Sequence, residues 1–324
     1  MKAVLILRHV KVENATAITG LTYGFPSMSA FLGYTHALSR ILQSQHGLSL
    51  GGCGVVCHSH NLQAYRPSPW ADYRFTMTRN PLTKEGSTPS FVEEGRMHMD
   101  VSLVIECDFN ADRVDFGAGE ITHDVVLLEE YVLGLAQTRR LAGGTIQSIG
   151  SVDFVELRGD DASNNIRKQL LRLLPGFALV DRSELLHEHY RHLIQQAPNA
   201  ELLDAWLDFI AIKHQARVDP QGGHSDEDGT TTDGDCEWDI VPKPANGYLV
   251  PMAMGFKAIS PLYAPGQVVG SRDPNIPFRF VEAAYGIGQW ISPHRLTGIN
   301  DLIWRFHVED DWYICKNSYQ PVAS

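Results

Sequence analysis

Residues 21–40 read LTYGFPSMSAFLGYTHALSR, and this stretch decides the fold because it marks a passage from strand to helix. An apolar run rich in Val, Leu and Ile at residues 3–12 precedes it and is typical of a strand. Pro26 then breaks the strand pattern, and Ser27 or Ser29 can cap the helix that follows. A helix N-terminus after a tight turn presents free backbone N–H groups that suit a phosphate. Any α/β crossover has this shape, so the shape alone does not establish a phosphate site.

The segments that follow predict a β-α-β-β-α-β order for a first domain, residues 1–160. The predicted strands are 3–12, 55–64, 97–107 and 147–157, and the predicted helices are 28–44 and 122–140. This order is that of a ferredoxin-like sheet, the α+β fold of RNA-recognition domains. Its middle hairpin is opened by an insertion at about residues 65–96, and compact domains rarely carry a loop that long without a function.

The second half, residues 161–324, is predicted to be a helical and mixed extension packed on the first domain. The predicted helices are 163–174, 183–196, 199–217, 278–290 and 292–307. The acidic stretch at 219–237 is rich in Gly, Thr and Asp, which is typical of a disordered surface loop.

The composition indicates a globular protein rather than a membrane or secreted one. Of the 324 residues, 44% are hydrophobic and 20% are charged, and no apolar run approaches the ~20 residues that span a bilayer. The N-terminus lacks the pattern of a signal peptide. Five cysteines, an odd number with irregular spacing, do not form a disulfide framework, so we expect a reducing cytoplasm.

The formal charge of −11 argues against nucleic acid until its distribution is considered. Eight acids and no Lys or Arg lie between residues 219 and 239. Without them the chain has 30 acids against 27 bases, a net charge of −3. The rest of the protein is therefore near neutral, and local basic patches decide what it binds.

The pattern TYGFPSxSAFLGYxHAL at residues 22–38 resembles the first crossover of the CRISPR effector subunits that hold the 5′ handle of a guide RNA. It is most similar to the second-subunit family of the type I-F (Csy) surveillance complex, and the resemblance runs over nearly the whole chain. It implies a non-catalytic, cytoplasmic subunit of antiviral defence that needs no cofactor or metal. Its implied partners are the crRNA 5′ handle, the large Csy subunit and the repeated backbone Csy subunit. Target DNA is reached only through the complex, and no membrane is involved.

The insertion is the first candidate for RNA contact. Between residues 66 and 84 it holds four bases against one acid, interleaved with aromatic residues. Cationic side chains neutralise phosphates, and aromatic faces accept unstacked bases. On composition alone, a solvated loop with some core aromatics is the favoured explanation. However, TRNPLTKEGSTPSFVEEGR at 78–96 resembles the family segment that acts as a thumb against RNA and the neighbouring backbone subunit.

Residue chemistry on these family-like stretches gives the expected contacts. For phosphate they are Arg66, Arg74, Arg79, Lys84, Arg96 and Arg139; for base or ribose, Asn80 and His98; and for the RNA backbone at the crossover, Ser27 and Ser29.

The turn RLAGGTI at 140–146 is the second candidate. Gly143 and Gly144 allow the backbone to approach a ribose-phosphate chain closely. Arg139 and Arg140 close the preceding helix, where the helix dipole is an adequate structural explanation for both cations. The sequence therefore favours neither contact with RNA nor a purely structural role for this turn.

The third candidate is the C-terminal block at 278–307, which also matches the family pattern. His294 and Arg295, expected in the first turn of the last helix, are its exposed polar residues. This block serves either RNA or the interface with the large subunit, and the sequence does not separate the two.

Cys53, Cys57, His58 and His60 are residue types that bind zinc. Strand alternation instead predicts that both sulfurs lie in the core, where free cysteines are common. We therefore predict a buried strand here and no metal site.

His9 is the residue that favours the alternative function, a metal-independent endoribonuclease that processes precursor crRNA. Relatives of this fold that cleave guide precursors use a histidine as general acid or base against the ribose 2′-OH. His9 has no evident catalytic partner in the sequence, and type I-F systems have a separate endonuclease subunit. We therefore expect His9 to be structural or to contact RNA. A third interpretation is a pure scaffold whose basic insertion binds protein.

Overall fold

The computed structural model describes residues 3–79, 81–109, 121–157, 162–218 and 236–321. Its α-helices are α1 (Met28–His46), α2 (Ile121–Gln137), α3 (Ala162–Leu171), α4 (Ser183–Gln196) and α5 (Leu202–Ile210), and its 3₁₀ turns are Pro293–Arg295 and Ile299–Asp301. The strands of the first half are β1 (Ala3–Thr16), β2 (Ile18–Thr19), β3 (Thr22–Tyr23), β4 (Leu48–Leu62), β5 (Ala64–Tyr65), β6 (Arg74–Phe75), β7 (Met77–Arg79), β8 (Phe91–Glu93), β9 (Arg96–Phe109), β10 (Arg140–Leu141), β11 (Gly144–Ser148) and β12 (Ser151–Glu156). Those of the second half are β13 (Phe177–Asp181), β14 (His214–Val218), β15 (Cys236–Ile240), β16 (Tyr248–Ala258), β17 (Val281–Ile291), β18 (Trp304–Glu309) and β19 (Trp312–Asn317).

One antiparallel sheet of eleven strands forms the centre of the protein. Its order is β10-β11-β1-β9-β4-β13-β17-β16-β19-β18, and β12 also pairs with β1. β18 reaches back to β4 through the pair Trp304 and Cys53. The remaining strands form the two-stranded pairs β2–β3, β5–β6, β7–β8 and β14–β15. The fold is therefore mixed α/β with a large sheet.

β1 is apolar without alternation because both faces of the sheet are covered at this strand. Leu5 and Leu7 belong to a first core cluster, which includes residues of α1 and α2. Val4 and Ile6 point the other way into a second cluster, which includes residues of α3. All four side chains are fully buried. The sheet therefore has an α1/α2 face and an α3 face.

α1 begins where the sequence predicts, directly after Ser27. It packs Phe31, Leu38 and Leu42 into the first core cluster. It ends at Gly47, whose φ of 66° is the left-handed conformation that terminates many helices. The passage from β1 to α1 therefore places the first helix of the α1/α2 face. The insertion lies between β4 and β9.

The prediction of a helical C-terminal half is wrong. Residues 278–290 contain most of strand β17, and residues 292–307 contain two 3₁₀ turns followed by the start of β18. The predicted helix at 199–217 ends at Ile210, after which the chain enters β14. Pairing of β17 with both β13 and β16 overrides its local helical pattern.

Two glycines explain how β17 fits at this crowded position. A Cβ on Gly286 would lie 2.4 Å from the Ser183 hydroxyl oxygen, and one on Gly288 would lie 2.6 Å from the Met252 sulfur. Ile287, between them, is fully buried. This Gly-x-Gly therefore lies inside a strand, where it provides space for neighbouring side chains.

The two halves of the chain share one core. Trp304 is fully buried in the first core cluster, and its indole N–H donates to the Leu179 carbonyl at 2.8 Å. Cys315 belongs to the same cluster. Among the helices that the structure describes, none is both long enough and apolar enough to cross a bilayer.

Candidate nucleic-acid interface

A groove of about 430 Å³ lies between the first turns of α1 and residues 139–143, which include β10 and the turn between β10 and β11. Two regions distant in sequence, residues 16–37 and 139–143, form its walls. Its lining includes the polar and small residues Thr16, Thr19, Ser27, Gly33, Arg139, Arg140 and Gly143. The groove therefore joins the crossover at residues 21–40 to the second candidate region, the turn at 140–146.

The N-terminus of α1 forms one wall. Ser27 is the N-cap residue, but it makes no side-chain cap to the residues that the structure describes. Its hydroxyl instead lies 2.8 Å from the Ser29 hydroxyl, and its carbonyl accepts from the Ala30 N–H at 3.0 Å. First-turn N–H groups without a side-chain cap, at the positive end of the helix dipole, are suited to an anion.

The turn after α2 forms the opposite wall. Ala142 and Gly143 have φ values of 49° and 77°, a left-handed turn that favours glycine at the second position. The Thr16 N–H donates to the Ala142 carbonyl at 2.9 Å and ties the turn to β1. A Cβ on Gly144 would lie 2.6 Å from the Glu13 carbonyl oxygen, so Gly144 packs behind the groove while Gly143 lines it.

Arg139 and Arg140 supply the positive charge of the groove. Both are exposed and line it. Within the described ranges neither guanidinium forms an ion pair. Both cations are therefore available to a phosphate.

The insertion presents its aromatic residues to solvent. Trp70 is 94% exposed and Tyr73 is 68% exposed. The Arg66 guanidinium lies 5.5 Å from the centre of the Tyr73 ring, and its Nε donates to the Ala71 carbonyl at 2.6 Å. These two rings belong to the surface and not to the core, so they are accessible for stacking.

The hairpin β2–β3 lies between the groove and the insertion. Thr19 lines the groove, while the Tyr23 ring packs edge-on against Phe75 of the insertion, with ring centres 5.8 Å apart. The Leu21 N–H donates to the Tyr285 hydroxyl at 2.9 Å and fixes the hairpin to β17. The groove and the insertion therefore flank one anchored hairpin.

The other cations of the insertion have different settings. Arg74 and Lys84 are exposed. The backbone of Arg79 pairs with Phe91 in β7–β8. Asn80 lies outside the described residues.

Arg96 and His98 are engaged in a polar network at the base of the insertion. The Arg96 guanidinium donates twice to one Glu94 carboxylate oxygen, at 2.9 and 2.6 Å. The His98 ring nitrogens lie 3.3 Å from the Asn14 backbone nitrogen and 3.0 Å from the Gln63 side-chain nitrogen. These two predicted residues therefore already have protein partners and lie outside the groove.

His294 and Arg295 lie elsewhere, in a 3₁₀ turn and not in a helix. Both are exposed, while Leu296 beside them is buried in the second core cluster. They therefore belong to the α3 face, and the structure does not bring them together with the groove.

The expectation that His9 lacks a partner is wrong. Its Nδ1 lies 3.2 Å from an Asp100 carboxylate oxygen, and its ring stacks on His58 with centres 4.2 Å apart. His58 lies 2.6 Å from the Pro175 carbonyl and 2.7 Å from the Ser102 hydroxyl. Burial lowers the pKa of His58, and the Pro175 carbonyl opposes this shift.

The two cysteines of the same strand are buried, as predicted. Cys53 and Cys57 belong to the first core cluster, and burial raises the pKa of each thiol to about 12. The His58 ring instead contacts Ser102 and Pro175 on the α3 face. The residues Cys53, Cys57 and His58 therefore do not converge on one site.

Residues 5–315 of this chain match the model of a protein family described as CRISPR-associated protein (Cas_Csy2). The chain belongs to this Csy2 family. The chain is also 39% identical over 320 residues to the CRISPR-associated protein Csy2 of Pseudomonas aeruginosa (strain UCBPP-PA14). That alignment covers 96% of this chain and 93% of the relative.

Membership of the Csy2 family confirms the resemblance stated from the sequence. The Csy2 match includes the groove, the insertion and the cluster around His9. All three features therefore lie within the part of the chain that matches Csy2, and none belongs to an appended domain.

Proposed function

We propose that this chain is the non-catalytic subunit that binds the 5′ handle of the crRNA in a type I-F CRISPR surveillance complex. The observation that supports the proposal is the surface around β2–β3. There a helix N-terminus and two arginines form a groove on one side, and a basic, aromatic insertion lies on the other. Phosphate neutralisation and base stacking are the two interactions by which single-stranded RNA is bound.

The architecture supports a ferredoxin-like RNA-binding domain over residues 1–160, with the thumb insertion at about 65–96. The strands run β11-β1-β9-β4 within the sheet, and α1 and α2 both contribute to the first core cluster. This order, with both helices on one face, is the arrangement that the β-α-β-β-α-β pattern predicts. Residues 161–324 extend the same sheet and form, in this proposal, an extension packed on that domain.

The groove holds the phosphates of the handle in this proposal. Ser27 and the N–H groups of α1 lie on one side of the RNA strand, and Arg139 neutralises charge from the other. Ser29, whose hydroxyl lies 2.8 Å from that of Ser27, is the second proposed serine contact. Gly143 allows the RNA backbone to approach the turn, and Gly144 supports that turn from behind.

In this proposal the insertion contacts the bases of the RNA handle and the neighbouring backbone subunit. Its proposed phosphate contacts are Arg66, Arg74, Arg79, Lys84 and Arg96, and its proposed base or ribose contacts are Asn80 and His98. Trp70 and Tyr73 are placed for stacking because their rings are exposed.

The protein partners follow from the same arrangement. The insertion abuts the first copy of the repeated backbone subunit, and the large Csy subunit pairs with this chain at the tail. His294 and Arg295, on the α3 face, are exposed to either the large subunit or the RNA. Target DNA contacts this chain only through the assembled complex.

One observation favours the alternative, a metal-independent endoribonuclease. His9 has a carboxylate partner and a second histidine beside it, as a catalytic group would. However, this cluster lies on the α3 face, whereas the groove lies on the α1/α2 face. Incubating the protein with precursor crRNA in a chelator decides between them. Cleavage that His9→Ala abolishes would establish the alternative, and an intact transcript supports the non-catalytic role.

A pair of helical glycines provides a sharp test of the groove. Gly33 of α1 lines the groove, while Gly134 of α2 does not, and both are exposed with no atom within 4 Å of an added Cβ. Gly33→Glu therefore places a carboxylate in the groove without a steric clash, and Gly134→Glu makes the same chemical change elsewhere. We expect Gly33→Glu to weaken binding of a labelled 5′-handle RNA at least tenfold and Gly134→Glu to leave it unchanged.

The measurement is fluorescence anisotropy on the chain co-purified with its large subunit. Gly33→Glu should also reduce the crRNA recovered with the assembled complex. Equal binding by both variants would contradict the groove as the handle site. If the handle crosslinks to the insertion but never to the groove, the insertion alone carries the function.

A further inference from the structure

A cluster of two histidines and one carboxylate lies on the α3 face of the sheet. His9, His58 and Asp100 come from β1, β4 and β9, three adjacent strands. Each offers one ligand atom, and these three atoms all lie within 4.8 Å of one another. The RNA-binding proposal does not use them, since the groove lies on the opposite face.

Two β-bulges direct the histidines to this point. The register of β1 against β9 shifts between Leu7 and Val10, and the register of β4 against β9 shifts between Cys57 and Ser59. Each bulge contains one of the histidines. His9 also has a φ of 50°, a left-handed conformation that is uncommon outside glycine. Bulges of this kind re-aim side chains, and paired bulges on both neighbours of β9 indicate a built site.

The distances suit a first-row transition metal. A tetrahedral zinc ion with bonds of about 2.0–2.1 Å separates its ligand atoms by about 3.3 Å. The His9 Nδ1 and the Asp100 oxygen already lie 3.2 Å apart. His58 must approach by a small ring movement, since the three atoms span at most 4.8 Å.

His58 carries the supporting contact that metal-binding histidines usually have. Its Nδ1 lies 2.6 Å from the Pro175 carbonyl, which can only accept, so the proton is on Nδ1 and the lone pair is on Nε2. A Cβ on Gly176 would lie 2.9 Å from this Nδ1, so a glycine lets the turn come close enough for that contact. Nε2 faces the Ser102 hydroxyl at 2.7 Å, a contact that a metal would replace.

The electrostatics and the access also fit. The nearest cation, Arg8, is neutralised by an ion pair with Asp153 at 2.5 Å and also donates to Gln169. His9 is half exposed, with 50% of its side chain accessible, so an ion can enter from solvent. Two imidazoles and one carboxylate leave the fourth position of a tetrahedral ion to water.

We propose that His9, His58 and Asp100 bind a divalent transition metal, with Zn²⁺ preferred, which links β1, β9 and β4. Imidazole ligands favour Zn²⁺ over Mg²⁺ and Ca²⁺, which take oxygen ligands. This proposal is independent of RNA binding, because the cluster and the groove lie on opposite faces.

The test is a zinc titration of the full chain after removal of its affinity tag and treatment with a chelator. Competition against a chromophoric zinc chelator measures the affinity, and Co²⁺ substitution reports the coordination geometry by its visible absorption. We expect one Zn²⁺ per chain, a tetrahedral Co²⁺ spectrum and an affinity at least about tenfold weaker in His9→Asn and Asp100→Asn. Asparagine is chosen at residue 9 because it tolerates a left-handed backbone.

His189→Ala is the matched control. His189 also pairs with a carboxylate, Asp208, at 2.7 Å, but Lys213 pairs with the other Asp208 oxygen, and no third metal ligand lies beside them among the described residues. Zn²⁺ should raise the thermal midpoint of the wild type and of His189→Ala but not that of His9→Asn. The proposal is overturned if the wild-type chain takes up no Zn²⁺. It is also overturned if His9→Asn binds Zn²⁺ as tightly as the wild type.

Discussion

The double variant Arg139→Ala/Arg140→Ala tests the charge of the groove in isolation. Both side chains line the groove and are exposed, and neither forms an ion pair with another described residue. Their removal therefore leaves no unpaired partner and no cavity, so the stability of the fold should change by less than about 0.5 kcal/mol. The affinity for the handle RNA should fall while the stability of the fold stays the same.

The magnitude follows from counterion release. Each phosphate neutralised on a single strand contributes about 0.7 to the slope of log K against log salt, so two lost contacts lower that slope by about 1.4. Between about 50 and 200 mM salt, a fourfold change, the ratio of wild-type to variant affinity should therefore fall about sevenfold. A loss of shape or of base contacts would lower affinity by the same factor at every salt concentration.

The assay is anisotropy of a labelled 5′-handle RNA at a series of salt concentrations. Arg167→Ala/Lys168→Ala removes two exposed cations from α3, on the opposite face, and is the matched control. Its slope should equal that of the wild type. The reasoning is refuted if both double variants change the slope equally, because the effect would then be one of net charge and not of the groove.

Three further outcomes are expected. Trp70→Ala or Tyr73→Ala should weaken RNA binding by ~1–3 kcal/mol with the urea midpoint unchanged, because these rings are exposed and stack on bases. Gly144→Ala should lower the free energy of unfolding by ~1–3 kcal/mol in urea denaturation, because the new Cβ would lie 2.6 Å from the Glu13 carbonyl oxygen. Burial raises the pKa of Asp181, so its contribution to stability is present at low pH and is lost as the pH rises through the folded-state pKa. Asp181→Asn, measured by urea denaturation from acid to neutral pH, should remove this decline and be more stable than the wild type at neutral pH.

The first half of the fold could be predicted because its local signals agree with its tertiary role. Ser27 and Gly47 bound α1 with residues that favour helix ends, and β1 is apolar on both faces. The second half could not, because β17 has a helical pattern that is overridden by pairing with β13 and β16. The need for Gly286 and Gly288 becomes evident only from the Ser183 and Met252 side chains that crowd them in space.

The candidate site divides in the same way. Ser27, Arg139 and Gly143 carry their own chemistry and meet in the groove. Thr16, at the end of β1, and Thr19, in the hairpin β2–β3, also line it, but no sequence signal identifies them. Arg140 also lines the groove but was not among the predicted phosphate contacts, although it directly follows Arg139 in the sequence.

The partnership of His9 with Asp100 and His58 depends on two bulges, and a bulge in these strands leaves no periodic mark in the sequence. A strand of strict alternation would place His9 on the opposite face from Arg8. The sequence therefore identified His9 as a candidate but not the residues beside it.

The shared core has a consequence for how the protein is made. Leu5 leaves the ribosome well before Trp304 and Cys315, yet all three residues belong to one core cluster. The apolar faces of β1 and β9 therefore lack part of their core until the segment that contains Trp304 and Cys315 has been synthesised. Chaperones or a partner subunit can bind those strands during this interval.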